Sequence, residues 1–117
     1  MSDTEKTIAA VFYRSASGNE PVRDWLIHEI ELNDRKRIGT DIMSVEFGWP
    51  MGMPTVRPMG DGLHEVRSNL SGSRIARVLF FVHDRQMVLL HAFIKKTAKT
   101  PKPDLDLAKS RKKEYLK

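Results

Sequence analysis

Residues 63–94 read LHEVRSNLSGSRIARVLFFVHDRQMVLLHAFI, and this stretch decides the fold. It contains three segments rich in β-branched and aromatic residues, at 63–68, 74–82 and 86–94, separated by turn-forming residues. The connections at 71–72 and 83–85 are short enough to join antiparallel neighbours. We therefore predict an antiparallel meander. The last two segments are nearly continuous in apolar residues, which indicates that both faces of the sheet are covered there.

The sequence before and after the meander predicts one more strand and three helices. Residues 8–14 are apolar and rich in β-forming residues, and a turn-like cluster follows at 15–18. Pro21 suits the first turn of a helix, and Asn33-Asp34 suits the start of a second helix. Apolar residues recur at helical spacing in both: Val22, Trp25, Leu26 and Ile30, then Ile38, Ile42, Val45 and Trp49. We expect the two helices to form a hairpin and a last helix to span 103–115.

Residues 48–62 contain four glycines and three prolines. Proline fixes φ and lacks a backbone donor, so we expect no helix or strand to run through this segment. The order of elements then predicts an α+β fold. In it, a helical hairpin packs on a mainly antiparallel sheet of about four strands, and a C-terminal helix is added.

Composition limits the classes of protein to which the chain can belong. A chain of 117 residues fits a single domain spanning 1–117. It has no cysteine, which excludes a disulfide framework, a thiolate metal site and a cysteine nucleophile. The four histidines lack HxxxH or HxH spacing, so we expect no metal and no cofactor. Since no apolar run approaches the ~20 residues of a membrane span and the N-terminus is polar, we expect a cytoplasmic protein without a membrane partner.

The net charge of +5 is concentrated at the C-terminal end of the chain. Residues 1–94 carry 11 Lys and Arg against 12 Asp and Glu, whereas residues 95–117 carry 9 against 3, a net charge of +6. Such a segment attracts polyanions or an acidic protein partner. The alternative is a solvated, lysine-rich terminal helix that binds no charged partner.

Basic residues occur on consecutive predicted strands and just after the last one. They are Arg67, Arg74, Arg77, Lys95 and Lys96. The arginine fork binds phosphate oxygens in a bidentate way, and lysine adds a point charge. The neighbours that share a strand face with Arg77 are apolar, and an unpaired buried charge is very costly. We therefore expect Arg77 either to line a groove or to form a structural ion pair with Glu65 or Asp84. Arg74 would face the opposite side of a regular strand.

His91 is the first candidate for a residue that transfers protons. Strict alternation places it in the same strand phase as Leu89, and two lysines follow at 95–96. Ribonuclease chemistry needs a base for the 2′-hydroxyl, cations for the developing charge and an acid for the leaving oxygen. His64 and Glu65 are the second and third candidates, and Phe93 is a candidate for stacking on an unpaired base. The alternative for His91 and Phe93 is a structural place in the core.

Four stretches of the sequence resemble the phage-derived, HigB-like branch of the RelE/ParE toxin superfamily. They are 63–67, 71–82, 89–101 and 108–115, and the most specific is HAFIKKTAKTP at 91–101. The resemblance extends over nearly the whole chain, from about residue 8 to residue 116. It includes the order of elements: a strand, two helices, a meander and a C-terminal helix.

The resemblance implies a toxin of a type II toxin–antitoxin pair, an endoribonuclease that cleaves mRNA on the translating ribosome. In such toxins the 2′-hydroxyl attacks the adjacent phosphate without a metal, and a helix-turn-helix, HigA-like antitoxin neutralises the toxin. By position, the resemblance implies that Arg67 and Arg77 match the family's basic residues, which we expect to hold the scissile phosphate, and that Lys95 and Lys96 stand where the family places residues after its last strand. With His91, the candidate from the strand pattern, the expected catalytic set is Arg67, Arg77, His91 and Lys95. The expected RNA-binding residues are Arg74, Phe93, Lys96, Lys99 and Lys102. Phe93 stands where the family has a tyrosine, which leaves the general base open.

Two other interpretations stay open at this point. One is a ParE-like module that inhibits a DNA topoisomerase by protein contact, since one fold serves both activities. The other is a basic protein that binds nucleic acid without catalysis.

Overall fold

The computed structural model describes residues 5–117, which form five strands and three helices. In chain order they are β1 (Ala9–Phe12), α1 (Pro21–His28), α2 (Leu32–Gly48), β2 (Val56–Gly60), β3 (Leu63–Asn69), β4 (Ile75–His83), β5 (Gln86–Lys95) and α3 (Lys102–Tyr115). The α+β class, the three helices and the meander were therefore predicted correctly. None of the helices within the described residues is long and apolar enough to cross a membrane.

The strands form one mixed sheet in the order β1-β5-β4-β3-β2. Strands β2 to β5 pair antiparallel, whereas β1 lies parallel to β5, with Ala9 opposite Gln86 and Phe12 opposite Leu89. The parallel pair is possible because α1, α2 and strands β2 to β4 separate β1 from β5 in the chain. The sheet is thus mainly antiparallel, as predicted, but it has five strands where about four were expected.

The additional strand, β2, lies in the segment 48–62, so the prediction that no strand runs there was wrong. Strand β2 is at the edge of the sheet, and its register against β3 shifts between Pro58 and Gly60. An edge strand tolerates proline because one of its sides has no partner strand. Val56 is buried and pairs with Val66, which anchors the strand on the core. The glycines and prolines exclude a central strand here, but not an edge strand.

Helices α1 and α2 form the predicted hairpin and cover one face of the sheet. The buried side chains of this layer include Val22, Leu26, Ile38, Ile42 and Val45 from the helices and Val66, Val78, Phe80 and Leu89 from the sheet. Arg35 fixes the turn between the helices: its Nε donates to the carbonyl of Leu26 at 2.7 Å, and its Nη2 donates to those of Ile27 and Ile30. The carbonyls of Leu26 and Ile27 at the end of α1 lack helical partners, so Arg35 acts as the cap.

Helix α3 covers the second face, where Ala108 is buried against strands β3 to β5. Asp104 in its first turn and Lys112 and Lys113 in its last turn match the helix dipole. Lys112 also donates to the backbone carbonyl of Asp61, and its Nζ lies 5.5 Å from the ring centroid of Phe81. One of the cations of the basic C-terminal segment is therefore structural.

His64 packs on the hairpin side of the sheet, and we expect its titration to affect stability. Its ring centroid lies 4.8 Å from that of Trp49 and 5.4 Å from that of Phe80. Burial lowers the pKa of His64 below its ordinary value of 6.5, and the charge of Lys112 lowers it further. Because the unfolded chain binds this proton more readily, the free energy of unfolding should decrease as the pH falls below about 6.5.

The variant His64→Gln should therefore lose less thermal stability than the wild type between neutral pH and about pH 5. Thermal unfolding followed by circular dichroism at each pH measures this difference. His28→Gln, which changes an exposed histidine, is the control and should keep the wild-type pH dependence. Equal pH dependence in His64→Gln and the wild type would contradict the prediction.

Candidate functional site

On the face that α3 covers, three arginines from neighbouring strands surround one buried carboxylate. In the strand register, Glu65 of β3 lies opposite Arg57 of β2, and Arg67 lies opposite Arg77 of β4. Oε1 of Glu65 lies 3.7 Å from Nε of Arg77 and 3.9 Å from Nε of Arg67. We call these four residues the arginine cluster. The pair between Arg77 and Glu65 is one of the two outcomes expected for Arg77 from the sequence.

Arg77 is buried without enough partners for its guanidinium. Arg77 and Glu65 are both 0% exposed. Nη2 of Arg77 donates to the carbonyl of Thr97, but within the described residues Nε, Nη1 and Oε1 of Glu65 have no hydrogen-bond partner. Burial lowers the pKa of Arg77; Glu65 opposes this shift, and Arg67 and Arg57 add to it. Unpaired N–H groups on a buried cation can form strong hydrogen bonds with an incoming anion.

The segment that joins β5 to α3 lies over the arginine cluster, and we call its residues 96–101 the strap. Three hydrogen bonds fasten it: from Arg77 to the carbonyl of Thr97, from Arg57 to the carbonyl of Ala98, and from the hydroxyl of Thr100 to Glu65. Thr100 is buried, whereas 96–99 are exposed. Arg77 is 0% exposed, and the strap is one of the segments that cover it.

His91 and Asp104, at the start of α3, form a second group on the same face. Nε2 of His91 lies 2.6 Å from Oδ1 of Asp104. Arg77 lies opposite Phe93, and His91 lies opposite Leu79, so His91 and Arg77 are diagonal neighbours on adjacent strands. The ring centroid of Phe93 lies 5.6 Å from that of His91 and 5.9 Å from Cζ of Arg77. Within residues 5–117, no three histidine or carboxylate side chains form a group that could hold a metal ion.

The prediction that His91 shares a strand face with Leu89 was wrong because β5 contains a bulge. Leu90 has no partner residue on β4, where the register shifts. An extra residue moves the side chains that follow it to the other face of the strand. Met87 and Leu89 therefore pack under the helical hairpin, whereas Phe93 packs under α3. The bulge brings His91 to the face that carries the arginine cluster.

Two candidates from the sequence lie away from this face. Nη1 of Arg74 lies 3.0 Å from Oδ2 of Asp34, a buried residue of α2. His64 packs against Trp49 on the hairpin side. Arg74 and His64 therefore do not lie next to the arginine cluster. For Arg74 this agrees with the prediction that it faces the opposite side of the strand from Arg77.

The remaining predicted residues lie close to the strap. Lys95 and Lys96 are exposed where β5 ends and the strap begins, and Lys99 is exposed in the strap. Lys102 is exposed at the start of α3 and pairs with Asp106 at 2.7 Å. Phe93 is only 8% exposed, so its ring is not free to stack in this conformation. Its role in RNA binding stays a prediction.

The sequence pattern did not identify three residues of this region: Arg57, Asp104 and Arg111. Arg57 falls in the segment expected to lack a strand. Asp104 and Arg111 were included only in the range of the last predicted helix. The spacing of Asp104 and Arg111 could have indicated that both face the sheet, because residues seven positions apart lie on one side of a helix. In the structure Asp104 reaches His91, and Nη1 of Arg111 donates to the carbonyl of Leu90 at 2.8 Å.

The sequence is similar to a known protein family over most of its length. Residues 26–113 match the family described as phage-derived protein Gp49-like (DUF891), and this range includes the arginine cluster, His91 and Asp104. No curated protein matches the chain. The family belongs to the RelE/HigB toxin superfamily and is associated with the toxins of toxin–antitoxin systems, which implies an antitoxin partner. Because the match extends over more than half of its residues, the chain belongs to the phage-derived Gp49-like family of this superfamily.

Proposed function

We propose that this chain is a HigB-like toxin that cleaves mRNA on the translating ribosome. The observation that carries the proposal is the arginine cluster, in which three cations converge and Arg77 has unpaired N–H groups. Cleavage by the 2′-hydroxyl places additional negative charge on the scissile phosphate in the transition state. Positioned cations that stabilise such charge make a large contribution to catalysis.

In this proposal each group has a separate role in the reaction. Arg77 and Arg67 bind the non-bridging oxygens of the scissile phosphate after the strap has moved, and Lys95 adds a cation at the end of β5. His91 accepts the proton of the 2′-hydroxyl or protonates the leaving 5′-oxygen, and Asp104 holds its ring in place. Flanking phosphates bind to lysines of the strap and of the start of α3: Lys96, Lys99 and Lys102.

Primer extension on mRNA in a cell-free translation system tests the proposed activity. We expect discrete cuts that appear only in mRNA that is being translated, together with growth arrest in cells that express the chain. Inhibition of DNA supercoiling without cuts in mRNA would instead support the ParE-like alternative. RNA binding without any cleavage would support the non-catalytic alternative.

We predict that the isolated chain cleaves free RNA poorly and that EDTA does not change this residual rate. The strap covers Arg77 in the isolated chain, which should keep free RNA from the cluster. The proposed reaction uses side chains alone, so chelation should remove no reacting group. Denaturing gels of labelled RNA, with and without EDTA, measure both rates. Rapid cleavage of free RNA that EDTA stops would contradict both parts of the prediction.

We also predict that the antitoxin binds through the basic segment 95–117 and competes there with phosphate. A charge reversal at Lys112 would not test this prediction cleanly, because its side chain also has structural contacts with the Asp61 carbonyl and the Phe81 ring. The exposed residues Lys113 and Lys117 are better choices, and reversing both to Glu should slow antitoxin association, since steering charges act mainly on the on-rate.

Reversing Lys95 and Lys96 to Glu should weaken both antitoxin binding and mRNA cleavage. Association kinetics at several salt concentrations provide the measurement, and binding should weaken as salt increases. Antitoxin affinity that does not respond to salt or to any of these four changes would indicate an apolar interface elsewhere.

A further inference from the structure

A small open cleft lies between α1, the last part of β5 and α3. Its volume is about 160 Å³. Its walls include Trp25 of α1, Glu29 directly after α1, His91 of β5 and Arg111 of α3, and no residue of the arginine cluster lines it. Ligand pockets for whole small molecules usually measure ~300–1,000 Å³, so this open cleft is suited to one unit of a longer ligand that extends beyond it.

Arg111 gives the cleft a cation that has no direct ion-pair partner among the described residues. Within residues 5–117 its guanidinium forms no ion pair, and its Nη1 donates only to the carbonyl of Leu90, at 2.8 Å. The carboxylate of Glu114 accepts a hydrogen bond from the hydroxyl of Tyr13, whose ring centroid lies 5.7 Å from Cζ of Arg111. The guanidinium is thus held in position by a backbone carbonyl and an aromatic ring, with the Glu114 carboxylate nearby, and it keeps N–H donors for an anion.

The other walls supply an aromatic surface and hydrogen-bonding groups. Trp25 is half-buried and packs against the core, so its indole is held in place beside the cleft. The hydrogen bond with Asp104 holds the ring of His91 in place beside the cleft. Glu29 is exposed and has acceptor oxygens for N–H groups of a ligand.

We propose that this cleft binds one nucleotide of single-stranded RNA, with a phosphate at Arg111 and the base against Trp25. Arginine for the phosphate and an aromatic ring for the base are the means by which proteins hold unpaired nucleotides. An acceptor such as Glu29 suits the amino and imino groups on a base edge. The ligand class rests on the proposed function, which it deepens by placing a nucleotide that neighbours the scissile phosphate.

The position of His91 connects the cleft to the arginine cluster. His91 lines the cleft and is the diagonal neighbour of Arg77 on the sheet. A strand of RNA that begins in the cleft therefore passes His91 before its next phosphate reaches the cluster. The cleft would hold the substrate in register with the proton-transfer group, a positioning effect that can lower the barrier substantially.

Titration of the ¹⁵N-labelled chain with a 2′-O-methyl pentaribonucleotide, followed by NMR, tests this inference. The blocked 2′-hydroxyl prevents cleavage, and millimolar concentrations detect weak binding. The chain has two tryptophans, and Trp49 packs against His64 and Phe80 on the hairpin side of the sheet, so its indole signal is an internal control. We expect the indole signal of Trp25 to shift with the oligonucleotide and that of Trp49 to stay unchanged.

Arg111→Gln should weaken this binding by about tenfold or more, as expected for the loss of a hydrogen bond to a charged group. Arg23→Gln changes an exposed arginine on α1 and should leave the affinity unchanged. Arg111→Lys, which keeps the charge, should recover part of the affinity and shows whether a loss in Arg111→Gln reflects misfolding.

Three results would overturn the proposal. The first is an unchanged Trp25 signal while signals elsewhere shift. The second is a response of Arg111 to inorganic phosphate with no response of Trp25 to the oligonucleotide, which would indicate an anion site only. The third is a response to the antitoxin alone, which would indicate a protein interface. Since the titration requires no ribosome and no cleavage, its result is independent of whether the chain cuts mRNA.

Discussion

We expect the double variant Glu65→Gln, Arg77→Gln to abolish mRNA cleavage on the ribosome while the chain stays folded. Loss of one group that stabilises transition-state charge typically reduces a rate by about two to three orders of magnitude. In the proposed mechanism Arg77 is the most deeply placed of these groups, and no exposed lysine can take its position. The loss should therefore exceed that of any single lysine variant on the strap.

The double variant is preferable to Arg77→Ala because Arg77 and Glu65 depend on each other. Both are 0% exposed, and Nε of Arg77 lies 3.7 Å from Oε1 of Glu65. Removing one partner of a buried ion pair typically costs ~3–5 kcal/mol, since the other charge remains in the interior. Arg77→Ala should abolish cleavage too, but with a large loss of stability. Two glutamines can satisfy each other by a neutral hydrogen bond.

Primer extension measures the cleavage, and thermal unfolding measures the stability of each variant. Glu65→Gln alone keeps Arg77 and separates the effect of the carboxylate from that of the guanidinium. Arg37→Gln removes an exposed arginine of α2 and should leave cleavage unchanged. Near-normal cleavage by a folded double variant would show that Arg77 is structural only.

The features of the fold that depend on local patterns could be predicted from the sequence. Helices α1 and α2 and the meander have clear periodicity, so their positions followed from the spacing of apolar residues. The pair between Arg77 and Glu65 was also among the expectations, because burying an arginine requires a carboxylate. Strand β2 could not be found in this way, because its stability comes from pairing with β3 and from one buried valine, Val56.

The site was harder to predict because it depends on a break in periodicity. One unpaired residue, Leu90, places His91 on the face opposite to the one that strict alternation gives. Nothing in the local sequence marks this bulge. The strap could not be predicted either. Arg57 and Arg77 of the sheet and Thr100 of the strap hold it in place by hydrogen bonds between residues that are far apart in the sequence.

We expect His91→Gln to reduce the rate of mRNA cleavage by about 10²–10⁴-fold, the usual contribution of a general acid or base. Glutamine has a similar shape and can donate a hydrogen bond to Asp104, so the contact between β5 and α3 should be kept. It cannot accept and release a proton as imidazole does. The variant should therefore retain its fold and its binding to ribosomes, and lose only the chemical step.

Single-turnover cleavage on pre-formed ribosome complexes separates the chemical step from binding. In this assay His91→Gln should bind ribosomes like the wild type and cleave slowly, whereas Arg111→Gln should bind the RNA more weakly. His28→Gln, at an exposed position of α1, is the matched control and should cleave normally. Asp104→Asn should give an intermediate rate, because the amide still contacts His91 but orients its ring less firmly than the carboxylate does. If folded His91→Gln cleaves at a near-normal rate, His91 is structural, and proton transfer belongs to Glu65 or Lys95.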